Sequence, residues 1–167
     1  AGGEIIFGMV CFTLQVYFDF SGYSDIAIGS AKIFNVNLSQ NFNNPLFSRN
    51  IQSTWTRWHS TLSTWFRDYL YIPLGGSRKG IAIKIRNIIL IFTLSGLWHG
   101  AHWTMVLWGF LNGVIIGFEL ITAKIRAPFI KSKASTYLGP LYTFTIWTLL
   151  LAIFRSETFE ISGRMYS

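Results

Sequence analysis

Uncharged apolar runs alternate with short polar or basic stretches along this chain. The longest, Asn87 to Phe118, contains no Asp, Glu, Lys or Arg, and one membrane span needs only about 20 apolar residues. It therefore reads as two helices, Ile88–Trp98 and Trp103–Phe118, meeting near His99 and His102. At about 1.5 Å per residue the first piece reaches about 16 Å from its basic end. That is roughly half of a ~30 Å hydrocarbon core. An ionisable group at such depth is costly and points to function. Gly96 and Gly100 flank His99 and admit the close approach of a backbone or a substrate.

The other runs fall on either side. Ile5–Phe18 is apolar but short for a full span, and Ile26–Phe34 resumes the apolar pattern after Tyr17–Asp25, where aromatics mix with Asp19 and Asp25. Acids inside membrane-like sequence suggest a polar cavity or an ion pair, or, for Asp25 after Ser24, a helix cap. Asn35–Asn50 carries turn chemistry in Asn41-Phe42-Asn43-Asn44-Pro45, because Asn favours turns and the residue before Pro avoids the helix. Trp55–Leu74 has Trp58, Leu62, Trp65, Phe66 and Tyr69 at helical spacing, with Arg57, Ser60, Thr64, Arg67 and Asp68 opposite. That pattern predicts an amphipathic helix suited to a membrane interface, with His59 at the border of its apolar stripe. Pro73-Leu74-Gly75-Gly76-Ser77 ends it. Gly139-Pro140 opens a last apolar run, Leu141–Phe154, which stops at Arg155.

Composition narrows the class. The chain is 51% hydrophobic, 17% aromatic and only 13% charged, against about 25% charged in soluble domains. A mean hydropathy of +0.39 agrees with an all-α, multi-spanning membrane protein. The net charge of +7 does not argue for nucleic acid. Its basic residues flank the apolar runs, at Arg78-Lys79 to Arg86 and at Lys124 to Lys133, as cytoplasmic loops do, where they face anionic lipid headgroups. Equal bias at both ends of the charge-free pair supports a hairpin inserted from the cytoplasm. The single cysteine, Cys11, leaves no intrachain disulfide and no cysteine zinc site. A start at Ala1 without methionine and a polar tail suggest a piece of a longer polypeptide.

Three chemistries compete for His59, His99 and His102. A buried His99 serves as a general base, since desolvation favours the neutral imidazole that accepts a proton. His99 and His102, three apart, join His59 around zinc, although short His spacings are weak motifs. Or the cluster lines a pore or proton path, with Asp19 and Asp25 as relay groups. No Gly-x-Ser-x-Gly, phosphate-binding glycine loop or Cys-x-x-Cys is present.

Longer motifs separate these readings. Tyr17-Phe18-Asp19-Phe20-Ser21-Gly22-Tyr23-Ser24-Asp25, then Trp58-His59 leading to Phe66-Arg67-Asp68-Tyr69, then Gly96-Leu97-Trp98-His99-Gly100-Ala101 closely resemble the membrane-bound O-acyltransferase family. The match is to its alginate O-acetylation branch, and Phe154-Arg155-Ser156-Glu157-Thr158-Phe159 is similar to that branch too. The resemblance implies that 1–167 is the central and C-terminal part of one membrane-embedded acyltransferase domain, incomplete at both ends, in a ring of tilted helices. It makes His99 the essential base and His59 the second characteristic polar position. Trp98 and Trp103 would shape the cavity, and Asp19, Asp25 and Arg67 would bind substrate or hold the ring together. No bound cofactor or metal is implied. The acyl donor would be acetyl-CoA or another acyl thioester, and the acceptor an exported polysaccharide. The partners would be membrane lipids and a periplasmic or extracellular acetyltransferase, in a multi-pass protein of the bacterial inner membrane. The alternative is a non-catalytic membrane conduit or scaffold for that acetyltransferase.

Overall fold

A computed structural model describes residues 2–156, so Glu157–Phe159 of the last motif lie outside the described residues. The described chain is all helical: α1 Gly2–Ile33, α2 Ile51–Arg57, α3 Ser60–Phe66, α4 Ile81–His99, α5 Trp103–Ile121, α6 Ala123–Lys131 and α7 Ser135–Arg155. A 3-10 turn, Pro45–Phe47, precedes α2, and a π-helical turn, Arg67–Tyr71, continues α3. Four helices, α1, α4, α5 and α7, are long and apolar enough to cross a membrane.

The expected hairpin is α4 and α5, packed antiparallel. Gly109, Gly113 and Gly117 recur every four residues and so share one face of α5. Small residues at that spacing let backbones approach closely. A Cβ on Gly109 would run into the Phe92 carbonyl oxygen, and one on Gly96 into the Met105 carbonyl oxygen. A Cβ on Gly113 would lie 2.7 Å from the Ile89 Cα. Toward the other end Gly117 faces Ile85, which brings Lys84 and Arg86 to the same end of the pair as Lys124 and Arg126, as the charge pattern requires.

Several sequence expectations are corrected. The first hairpin helix starts at Ile81 rather than Ile88, because Lys84 and Arg86 are good helix formers and fit into its first turns. Counted from Arg86, His99 then lies about 20 Å along the helix rather than about 16 Å. The separate runs Ile5–Phe18 and Ile26–Phe34 belong to one continuous α1 of 32 residues. Nothing in Tyr17–Asp25 breaks it, since polar side chains there leave the backbone hydrogen bonds intact. Asp25 is therefore a mid-helix residue and not a cap. Leu141–Phe154 extends back to Ser135, with Pro140 inside α7, where it removes the N–H that would bond the Thr136 carbonyl.

The single amphipathic helix expected over Trp55–Leu74 is instead two short helices bent at Trp58-His59, followed by the π-helical turn. His59 takes the left-handed conformation, φ 45° and ψ 51°, which is uncommon for a non-glycine residue. Bonds from the preceding loop hold the bend: Ser60 N–H donates to Asn41 O (3.1 Å) and Asn43 N–H to Arg57 O (2.9 Å). Trp58 is buried, whereas Trp65 and Tyr69 of the same expected apolar face are exposed. The turn at Gly75 and Gly76, both at positive φ, closes the segment as expected.

The core lies where α2 wedges against α5 and α7, and it is built from Trp55, Trp58, Trp108 and Trp147 with Ile51, Ile116, Leu150 and Leu151. Polar contacts fix the wedge. Glu119 on α5 is buried, and its carboxylate accepts from the N–H groups of Ile51 (2.9 Å) and Gln52 (3.0 Å). The Asn50 side chain accepts from Ser53 N–H (2.7 Å), and Thr54 N–H donates to Asn50 O (3.1 Å). The N–H groups of Ile51, Gln52 and Ser53, which the helix start would leave orphaned, are thereby satisfied, and a negative group sits at the positive end of α2. Truncating Glu119 to alanine should cost about 1–3 kcal/mol for each donor it orphans. Thermal unfolding of the full-length protein in detergent checks this, and a change near zero would contradict it. On the other side of α7, the Thr13 hydroxyl meets that of Thr148 at 3.1 Å and the Arg155 guanidinium lies 5.8 Å from the Phe12 ring, tying α1 to the bundle.

Candidate active site

His99 is the last residue of α4, and the chain leaves it through extended backbone at Gly100. Its ring meets Trp98 at 4.8 Å, Trp108 at 5.4 Å and Phe154 at 5.3 Å between centroids. The Trp108 and Phe154 contacts are edge-on, at 87° and 82°. Those residues come from α5 and α7, so three helices frame the imidazole. Trp108 and Phe154 cover part of the imidazole, and among the described residues the rest of His99 is exposed.

Behind that wall runs a chain of rings. Trp108 packs on Trp55 (5.8 Å), Trp55 on Trp147 (5.1 Å), and Trp147 on Trp58 (5.1 Å). Trp58 adjoins His59, whose ring packs edge-on against Phe20 of α1 at 4.8 Å. Asn112 anchors the middle of the chain. Fully buried on α5, it accepts from the Trp55 indole N–H at 3.0 Å and donates to Trp108 O at 2.9 Å. The aromatic wall thus fixes the two histidines relative to one another. Burial chiefly, and then the nearby charge of His99, holds the His59 imidazole below its ordinary 6.5. At neutral pH His59 is a neutral ring able to donate with one nitrogen and accept with the other.

A cavity of about 360 Å³ lies between α2–α3 and the α4–α5 pair. Trp55, Phe66, Ile88, Ile91 and Phe92 make its walls apolar, and Arg67 belongs to its lining. It reaches Ser60, beside His59, and Ser95, which lies one turn before His99 on the same face of α4. Neither histidine lines it. An apolar hollow with a few polar groups is the usual form of a small-molecule site.

Of the remaining residues singled out in the sequence, Arg67 lines the cavity and Trp98 touches His99, while the two acids of α1 lie apart. Asp19 and Asp25 are exposed on α1, and among the described residues neither forms an ion pair. Arg67 and Asp68 are exposed and pair with each other at 2.7 Å. Trp98 and Trp103 are 61% and 75% exposed at the hairpin turn, where they flank His99 without lining the cavity. His102 precedes α5 as its cap residue. Among the described residues no three His, Cys, Asp or Glu side chains come together as metal ligands.

Sequence reasoning missed Asn41, Asn112 and Glu119. An asparagine inside the charge-free Trp103–Phe118 run was the one signal for Asn112. Asn41 and Glu119 act only through partners distant in sequence.

Comparison with known proteins agrees with the motifs. The model of the membrane-bound O-acyltransferase family matches residues 5–156. The chain is 42% identical over 165 residues to the protein named probable alginate O-acetylase AlgI of Azotobacter vinelandii, covering 99% of this chain and 32% of that protein. It is 43% identical over 149 residues to the peptidoglycan O-acetyltransferase of Helicobacter pylori, covering 89% and 28% respectively. With the teichoic acid D-alanyltransferase of Bacillus subtilis identity is 31% over 121 residues, covering 68% and 30%. The chain therefore spans about a third of the length of these relatives. A family match across nearly the whole chain, on four helices fit to span a membrane, places it: the chain belongs to the membrane-bound O-acyltransferase family.

Proposed function

We propose that this chain carries the catalytic histidine of an O-acyltransferase that moves an acyl group, acetyl in the simplest case, from a cytoplasmic thioester to hydroxyls of an exported polysaccharide. The observation that carries the reading is the family match over residues 5–156, a range that takes in both His59 and His99. Relatives whose names state O-acetylation of alginate or peptidoglycan support the acyl group and the acceptor class. Bacterial relatives and four apolar helices support a multi-pass protein of the inner membrane, and the basic ends of the hairpin support cytoplasmic placement of those ends.

In this mechanism the His99 imidazole takes the proton from an acceptor hydroxyl. The oxygen attacks the acyl carbonyl, a C–O bond forms, the C–S bond breaks, and the imidazolium returns its proton to the departing thiolate. Trp108 and Phe154 hold the ring edge-on, and His59 orients a reactant. The apolar cavity beside Ser95 suits the acyl portion of the donor. Trp98, Trp103 and Arg67 contact the substrates.

Purified full-length protein in vesicles, given an acetyl thioester and a soluble glycan, should release free thiol in step with ester formation on the glycan. Thiol release that needs a second protein would assign this one the role of conduit.

A further inference from the structure

His59 belongs to a compact polar network that decides where its ring proton sits. Its Nδ1 lies 3.1 Å from the side-chain oxygen of Asn41. That oxygen also receives the backbone N–H of Thr61 (3.3 Å) and the Thr61 hydroxyl (3.0 Å). A backbone N–H is always a donor, so the Asn41 atom facing this cluster is its oxygen. The amide NH2 then points the other way, where it donates to the Ser24 hydroxyl of α1 at 3.3 Å. With an acceptor opposite it, Nδ1 must carry hydrogen. The alternative tautomer would set two lone pairs against each other at the shorter of its contacts, the other being Thr61 Oγ1 at 3.4 Å.

We propose that Asn41 is a positioning residue that locks His59 as the Nδ1–H tautomer and leaves Nε2 as a bare acceptor. The ligand chemistry this selects is a hydrogen-bond donor, either the hydroxyl of the acyl acceptor or an amide N–H of the donor's arm. Asn41 does this while its own carbonyl takes Ser60 N–H (3.1 Å), so one residue fixes the left-handed backbone, the ring orientation and the proton. Strained conformations of this kind persist where the surroundings over-determine them. The proposal rests on the acyltransferase reading for the meaning of Nε2, but the tautomer itself does not depend on it.

Full-length protein labelled with ¹⁵N-histidine tests it at neutral pH, with His59 assigned by its disappearance in His59→Gln. The expected spectrum has the His59 proton on Nδ1. A proton on Nε2 in the unmutated protein would overturn the proposal without recourse to any variant. Asn41→Asp keeps an acceptor and should keep the proton on Nδ1 while favouring a second on Nε2, whereas Asn41→Leu removes the acceptor and should yield the Nε2–H form or a mixture. Retention of pure Nδ1–H in Asn41→Leu would show that Asn41 does not set the tautomer. Acyl transfer should fall on the order of tenfold in Asn41→Leu, as for other partners that orient a functional imidazole, and Asn41→Asp should not restore it, because its carboxylate favours an imidazolium whose Nε2 is protonated. If the spectra behave as expected while transfer is unaffected in both variants, Asn41 sets the tautomer but does not position for this reaction.

Discussion

Gly109→Leu should prevent the full-length protein from accumulating in a folded, inserted form. The side chain would have to occupy the space of the Phe92 carbonyl oxygen, and its Cβ would lie 3.1 Å from the Gly96 Cα. Backbone atoms cannot rotate aside as a side chain does, so α4 and α5 must separate along their length. Overpacking a core usually costs about 1–3 kcal/mol, and the loss here should exceed that range because the contact is backbone on backbone. Gly117→Ala supplies the contrast on the same face: its Cβ would meet the Ile85 Cγ2 at 2.9 Å, a side-chain methyl and not backbone, so it should cost far less. Folded yield and thermal midpoint in detergent check both. Equal behaviour of the two variants would contradict the close-packed hairpin. The consequence would reach the site, since His99 ends one helix of the pair and Trp108 stands on the other.

That hairpin was legible because its signals are local: a charge-free run too long for one span, a polar interruption at His99, and matching basic ends. The packing face was not read from the sequence: it rests on Gly109, Gly113 and Gly117, whose role only the close backbone contacts reveal. The bend at His59 was not legible. Trp55–Leu74 has uninterrupted helical periodicity and no glycine or proline before Pro73, and the break is imposed by Asn41 and Asn43 from a loop in front of it. The reverse error occurred in α1, where Tyr17–Asp25 looks like an interruption but contains only side chains that a helix accommodates. Glu119 escaped notice because a single acid at the end of an apolar run gives no hint that it satisfies the start of a helix 67 residues earlier. The histidines themselves were found by residue type and motif; the wall of Trp108, Trp55, Trp147 and Phe154 that relates them required the fold.

The second large effect belongs to His99. General base catalysis contributes about 10²–10⁴-fold, so under the proposed mechanism removing His99 should take acyl transfer to background while leaving the hairpin intact. His99 is exposed at the end of α4, where loss of the ring opens no core cavity. Structure and chemistry are therefore separable at this position, as they are not at Gly109. His99→Gln keeps comparable bulk and hydrogen-bonding capacity but has no basic nitrogen, and it should fail as His99→Ala does.

The decisive measurement is the acetyl content of the exported polysaccharide in cells carrying full-length unmutated, His99→Ala or His99→Gln protein, matched for expression and membrane insertion. The account predicts background acetylation in both variants. Acetylation near the unmutated level in either would contradict it, removing His99 from the chemistry and leaving the protein as a scaffold or conduit for an acetyltransferase elsewhere.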